Sequence, residues 1–208
     1  MISIKSEREL KIMRQACVIA AKVLNELCQM ARIGISTWEI DRAAKDIMEK
    51  YSCRSASYKY KCGSLKYPGY ICVSVNDEII HGIGTPERVL KSGDIVSMDV
   101  CVVYQGFVGD NTRTVVIGEA SPEVSRLVKT TEESMYVGIA QALAGNRVGD
   151  ISAAIQKYVE DAGYSVIREF TGHGVGRHLH EEPEVPNYGK AGTGALLRPG
   201  MTIAIEPM

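Results

Sequence analysis

The chain has 208 residues, 45% hydrophobic and 24% charged, with 24 Lys and Arg against 25 Asp and Glu. This balance excludes a disordered or fibrous chain and offers no basic stripe for nucleic acid. No run of about 18 apolar residues occurs and the N-terminus has no signal-peptide core, so neither a membrane span nor export is expected, and the cytoplasm is the expected compartment.

Ser6-Glu7-Arg8-Glu9 is a capping-box pattern, in which serine and the glutamate three residues on satisfy each other's free amides. Apolar residues then recur at Ile12, Met13, Ala16, Cys17, Ala20, Val23, Leu24 and Leu27, the stripe of an amphipathic helix that Gly34 stops. A second box, Ser36-Thr37-Trp38-Glu39, opens a helix to about Tyr51. From Tyr70 the pattern changes to short runs rich in Val and Ile, which predict strands over 70–76, 94–103 and 107–117. Helical patterning returns at Ser121-Pro122 and runs to Gly145, and a further helix over about 150–162 is closed by Gly163. Six cysteines (Cys17, Cys28, Cys53, Cys62, Cys72, Cys101) include no C-x-x-C pair. They are expected to be reduced, most of them as small buried groups.

Two helices followed by strands occur twice, and the residues repeat with them. His81-Gly-Ile-Gly84 corresponds to His173-Gly-Val-Gly176, and the segment Leu90 to Asp99 aligns with Leu197 to Glu206. Each half therefore offers a His-Gly-x-Gly and, after a glycine turn and a strand, an inward acid.

Asp99 lies in the apolar run 95–103, where an unpaired charge would cost several kcal/mol. A turn at Tyr104-Gln105-Gly106 would fold the strand back and bring Asp110 opposite or diagonal to Asp99. Two adjacent carboxylates either share a proton or bind a cation. The plainer alternative makes Asp110-Asn111-Thr112 a turn and pairs Asp99 with an arginine such as Arg113. If the halves pack with pseudo-twofold symmetry, His173 and Glu206 join the two aspartates as ligands suited to first-row divalent metals. The segment 171–183 holds three of the chain's four histidines, His173, His178 and His180, among glycines that permit close approach and positive φ. A rival reading takes His178-x-His180 as an extended metal-binding pair with both rings on one face.

Taken together, His81, the Asp99 and Asp110 pair, Gly172-His173-Gly174-Val175-Gly176, His180-Glu181-Glu182-Pro183 and Ile205-Glu206-Pro207-Met208 resemble the type I methionine aminopeptidases, in order and over essentially the whole chain. The resemblance implies an α+β pita-bread (creatinase/aminopeptidase) fold, with two pseudosymmetric halves of antiparallel sheet and flanking helices around a dinuclear centre. It implies Asp99, Asp110, His173 and Glu206 as ligands of two divalent ions (Co, Mn, Fe or Zn), Asp110 bridging and Glu206 also accepting the proton of the attacking water. His81 and His180 match the family's two non-ligand histidines, which handle the scissile peptide. Tyr67, Cys72 and Leu179 fall where the family lines its methionine pocket, although phenylalanine is common at the Leu179 position. Tyr67-Pro68 could equally be a plain turn and Cys72 a plain core residue.

The implied activity is removal of the initiator methionine from nascent polypeptides, at the ribosome, by a monomer. The chain is expected to be a single catalytic domain over 1–208, with repeat halves about 1–118 and 119–208. Family members continue past Glu-Pro-Met with a strand that carries a second ligating glutamate, so the sequence reads as C-terminally truncated, with impaired metal binding and an open strand edge. A catalytically silent peptide-binding module and an Xaa-Pro dipeptidase on the same fold are the other readings.

Overall fold

The computed structural model describes residues 1–208 apart from the side chain of Cys62. Lys11–Ser121 form one compact unit, and Pro122–Met208 together with Met1–Leu10 form another.

The first two helices are α1 (Glu7–Met30) and α2 (Thr37–Lys50). Ser36 caps α2 through the expected box: its hydroxyl accepts the Glu39 amide, and the Glu39 carboxylate accepts the Ser36 amide. Three short strands follow, β1 (Arg54–Ser55), β2 (Lys61–Cys62) and β3 (Leu65–Lys66), then β4 (Cys72–Val75), β5 (Ile95–Tyr104) and β6 (Phe107–Val116). All pairings are antiparallel. β5 is central: β6 pairs with it from Ile95 to Tyr104, while β4 and β1 pair with Val96–Asp99 and Val102–Val103.

Alternation along β5 decides what each side chain does. Val96, Met98, Val100 and Val102 are buried with Ala20, Val23, Leu24 and Leu27 of α1 and Ile40, Ala44, Ile47 and Met48 of α2 in one apolar cluster. The odd-numbered positions carry Ser97, Asp99 and Cys101 on the opposite face. The β5–β6 hairpin turns through Gln105 (φ 49°) and Gly106 (φ 82°), both left-handed, as a tight two-residue turn matched to the strand twist requires.

The other unit contains α3 (Pro122–Gln141), α4 (Val148–Asp161), β7 (Gly172–Gly174) and β8 (Glu181–Val185). Val148, Ile151, Ile155, Val159, Val166, Val185 and Leu197 make its apolar core. The repeat is visible in backbone hydrogen bonds. Gly34 donates to the Leu90 carbonyl and Leu90 to Ile35; in the same way Gly145 donates to Leu197 and Leu197 to Asn146. Gly93 and Gly200 turn with φ of 93° and 90°. Among the described residues no helix is long and apolar enough to cross a membrane.

Several expectations are corrected. The helix from Pro122 ends at Gln141 rather than near Gly145, and the next begins at Val148, where the Asp150 carboxylate accepts the Arg147 amide. The strand expected before Glu206 is not continuous: Ile203 forms only an isolated bridge with Gly174. Its would-be partner β7 has three residues, and the β7–β8 register shifts between His173 and Gly174, so no long ladder can grow there. Among the described thiols only Cys72 and Cys101 are buried; Cys17, Cys28 and Cys53 are half-buried, and all five are free. The expectation for the Cys62 thiol lies outside the described residues.

Candidate functional site

The polar face of β5 and β6 is built of successive cross-strand pairs: Ser97 with Thr114, Asp99 with Thr112, and Cys101 with Asp110. Asp99 and Asp110 are thus diagonal neighbours on one face. The Thr112 hydroxyl donates to Asp99 Oδ1 at 2.9 Å, and the Cys101 Sγ lies 3.6 Å from Asp99 Oδ1 and 3.5 Å from Asp110 Oδ1. Donor atoms of Asp99, Cys101 and Asp110 all fall within 4.8 Å of one another, close enough for one cation to engage. Arg113 does not neutralise Asp99: one position along from Thr112, it sits on the opposite face and donates to Asn25 Oδ1 at 2.8 Å. Asp110 lies within β6 rather than in a turn.

On its other side Asp99 faces β4, with Cys72 directly across the ladder. Burial, with the Asp99 and Asp110 charges adding to it, pushes the Cys72 thiol up to about 12. Burial likewise drives the Cys101 thiol well above its ordinary value, with Asp110 and Asp99 next in order. Tyr67 is held by its hydroxyl, which donates to the Gly82 carbonyl at 2.6 Å. Burial raises its phenol far above the usual range. Gly82 is also tied to β4 by Val73 N–H to its carbonyl at 2.9 Å and by its own N–H to Ser74 Oγ at 3.0 Å. His81, next to it, is exposed and left-handed at φ 59°, a conformation in which histidine is over-represented among non-glycine residues.

In the other unit, His173 sits at the centre of β7 and its ring meets that of His180 edge-on, with centroids 4.5 Å apart. His173 Nδ1 is 2.8 Å from the Gly174 carbonyl, which can only accept, so Nδ1 carries the proton. In the neutral ring Nε2 then presents a lone pair, and it lies 3.2 Å from Glu206 Oε1, a buried oxygen with no hydrogen-bond partner. Two lone pairs facing each other need either a proton on the ring or a cation to join them. The imidazole and carboxylate therefore fit a metal ion. The Glu206 backbone is fixed by Asn187, whose amide donates to its carbonyl at 2.7 Å.

The rival His178-x-His180 pair is overturned. Residues 177–180 form a bend rather than a strand, both histidines are exposed, and β8 starts only at Glu181. Leu179 is half-buried in the same bend. The glycines at 172, 174 and 176 do not adopt positive φ; their role is close approach, a Cβ on Gly174 falling 2.1 Å from the Glu182 carbonyl oxygen.

Sequence reading missed Cys101 and Thr112 as neighbours of the carboxylates, although strand alternation from Asp99 and Asp110 places both on that face. It also missed Asp41, buried in α2, whose Oδ1 accepts the Tyr70 and Ile71 amides and so anchors the segment that carries Tyr67 and Cys72. The sequence neighbours of Asp41, Ile40 and Arg42, give no signal of this role.

The profile of metallopeptidase family M24 matches residues 11–208. The chain is 47% identical to a methionine aminopeptidase of Clostridium acetobutylicum over 208 residues, which are 100% of this chain and 82% of that protein. It is 46% identical to methionine aminopeptidase 1 of Bacillus subtilis, with the same coverage. Among solved structures, the methionine aminopeptidase of Thermotoga maritima superposes with a TM-score of 0.96 at 42% identity, covering 100% of this chain and 82% of that one. An Xaa-Pro dipeptidase from Bacillus anthracis shares the fold more distantly, with a TM-score of 0.79 at 27% identity over 98% of this chain and 54% of its own.

Proposed function

The chain belongs to metallopeptidase family M24, among the methionine aminopeptidases, and we propose that it removes the initiator methionine from nascent polypeptides. Cytoplasmic action at the ribosome, by a monomer, is part of this reading. Asp99, Asp110, His173 and Glu206 are assigned as ligands of two divalent ions. The observation that carries the metal assignment is the confrontation of His173 Nε2 with the unpartnered Glu206 Oε1 at 3.2 Å.

Divalent ions held by these groups supply Lewis acidity, which brings the pKa of water toward neutrality and polarises the scissile carbonyl. The rest falls to the chain's own residues. Glu206 accepts the proton given up by the attacking water. His81 and His180 hold and protonate the scissile peptide; both are exposed, as groups that meet a peptide from solvent must be. Tyr67, Cys72 and Leu179 line the methionine pocket. Support for the first two is that the Tyr67 hydroxyl is fully engaged and the Cys72 thiol remains neutral, so an apolar thioether meets no charge from either.

The test is methionine release from Met-Gly-Gly by the purified 208-residue chain with Co or Mn added, against a chelator control and an Xaa-Pro dipeptide. Chelator-sensitive release of methionine, with the Xaa-Pro substrate left intact, is the expected result. Metal uptake without any release marks a catalytically impaired or silent chain, and Met-Gly-Gly binding by that chain in calorimetry identifies a peptide-binding module.

A further inference from the structure

The bend that carries Leu179 and His180 is clamped by the start of the chain. Lys5 Nζ donates to Glu181 Oε2 at 2.9 Å, and Glu181 Oε1 accepts the His178 amide at 3.1 Å. Only 4% of the Lys5 side chain and 13% of that of Glu181 reach solvent. An ammonium withdrawn from water this far requires its partner, unlike a surface ion pair. The glycine at 176 is the space the pair occupies: a Cβ there would lie 2.6 Å from Glu181 Oε1 and 2.7 Å from Lys5 Cε.

Two further ties hold the same segment. The Lys5 amide donates to the Gly200 carbonyl at 2.8 Å, with Ile4 packed so closely that a Cβ on Gly200 would fall 2.8 Å from its Cγ2. Arg177 pairs with Glu9 at 3.2 Å, and Glu9 is itself fixed by the Ser6 box. Residues 4–9 thereby grip the bend at Arg177 and at Glu181, on either side of His180, whose ring rests edge-on against His173.

We propose that Lys5, acting through Glu181, is a positioning residue that sets the orientation of His180 against His173. The catalytic consequence rests on the assignment of His180 to peptide handling; the structural consequence does not, and the experiment separates them. Lys5→Met keeps the aliphatic stem and removes the charge, while Glu181→Gln keeps the shape and weakens the pair. In the zinc-loaded chain, imidazole NMR signals are compared between wild type and both variants, with thermal melts confirming the fold. The expected result is a displaced His180 signal in each variant with His81 unmoved. Release of methionine from Met-Gly-Gly should fall in kcat by about tenfold or more, since small misplacements of a catalytic group are expensive. In a His180→Ala background, Lys5→Met should cost no further activity. Unmoved His180 signals in the folded variants, or losses that multiply in the double variant, overturn the proposal. Absence of release from the wild-type chain would count against the peptidase reading alone, because the ring signals still decide the positioning.

Discussion

Cys72 stands directly across the β4–β5 ladder from Asp99, so a thiol and a carboxylate share one face of the sheet. The thiol, pushed up to about 12 mainly by burial and then by Asp99, stays protonated in the fold at pH values where the unfolded chain, with a thiol near pKa ~8.5, ionises. Folding then takes up a proton, so this contribution to stability is complete below pH ~8.5 and is lost as pH rises toward 12. Urea melts between pH 7 and 10 should show stability falling with pH, and less steeply in Cys72→Ala. Equal slopes for the two proteins would refute the assignment.

Glu206→Gln should separate metal binding from folding. The amide can donate to His173 Nε2 where the carboxylate offers a second lone pair, so the chelator-treated variant should match or exceed wild type by about 0.5–1.5 kcal/mol, the net worth of one hydrogen bond. Its Mn affinity, measured by titration calorimetry, should fall at least about 100-fold, beyond the loss typical of an outer residue. His173→Ala should lose affinity similarly with no gain in stability.

Metal removal should be visible in the wild-type melt. An ion present at about 100 times its dissociation constant stabilises by about 2.7 kcal/mol, and chelation abolishes that increment. A melting temperature indifferent to Mn and to chelator would argue against a metal held by these residues.

Gly174→Ala should destabilise by about 1–3 kcal/mol, because its methyl would press on the Glu182 carbonyl and neither strand backbone can yield cheaply. Thermal unfolding measures this. The same variant should disturb His173, the adjacent residue.

Leu27→Ala, in the fully buried stripe of α1, should cost about 2–5 kcal/mol. Leu65→Ala, at a 73% exposed position, should stay within about 0.5 kcal/mol of wild type. Denaturant titration compares them directly.

The helices were legible because their signals are local: the box at Ser36 and Glu39 and the stripe through Leu24 and Leu27 lie within a few residues. The β5–β6 hairpin was legible for the same reason, since Gln105-Gly106 fixes the register that makes Asp99 and Asp110 diagonal. The two-residue strands β1 to β3 carry no alternation to read. The strand expected before Glu206 was carried over by the repeat from Leu90–Asp99, but its partner β7 is only three residues long and shifts register against β8, so only an isolated bridge forms at Ile203. The extended alternative for His178-x-His180 fails at the bend over 177–180 because the contact that shapes the bend is not local. What holds it is Lys5, 176 residues away from Glu181, and no window of sequence contains both.

One unit of this protein draws on both ends of the chain, Met1–Leu10 joining Pro122–Met208, whereas Lys11–Ser121 is contiguous. During synthesis every partner within the contiguous unit is available once Ser121 has left the ribosomal tunnel. Lys5 must wait for Glu181 and Gly200. Residues 4–9 are thus made long before the partners that hold them, and a nascent chain arrested before Glu181 carries a lysine that has not yet met its counter-ion.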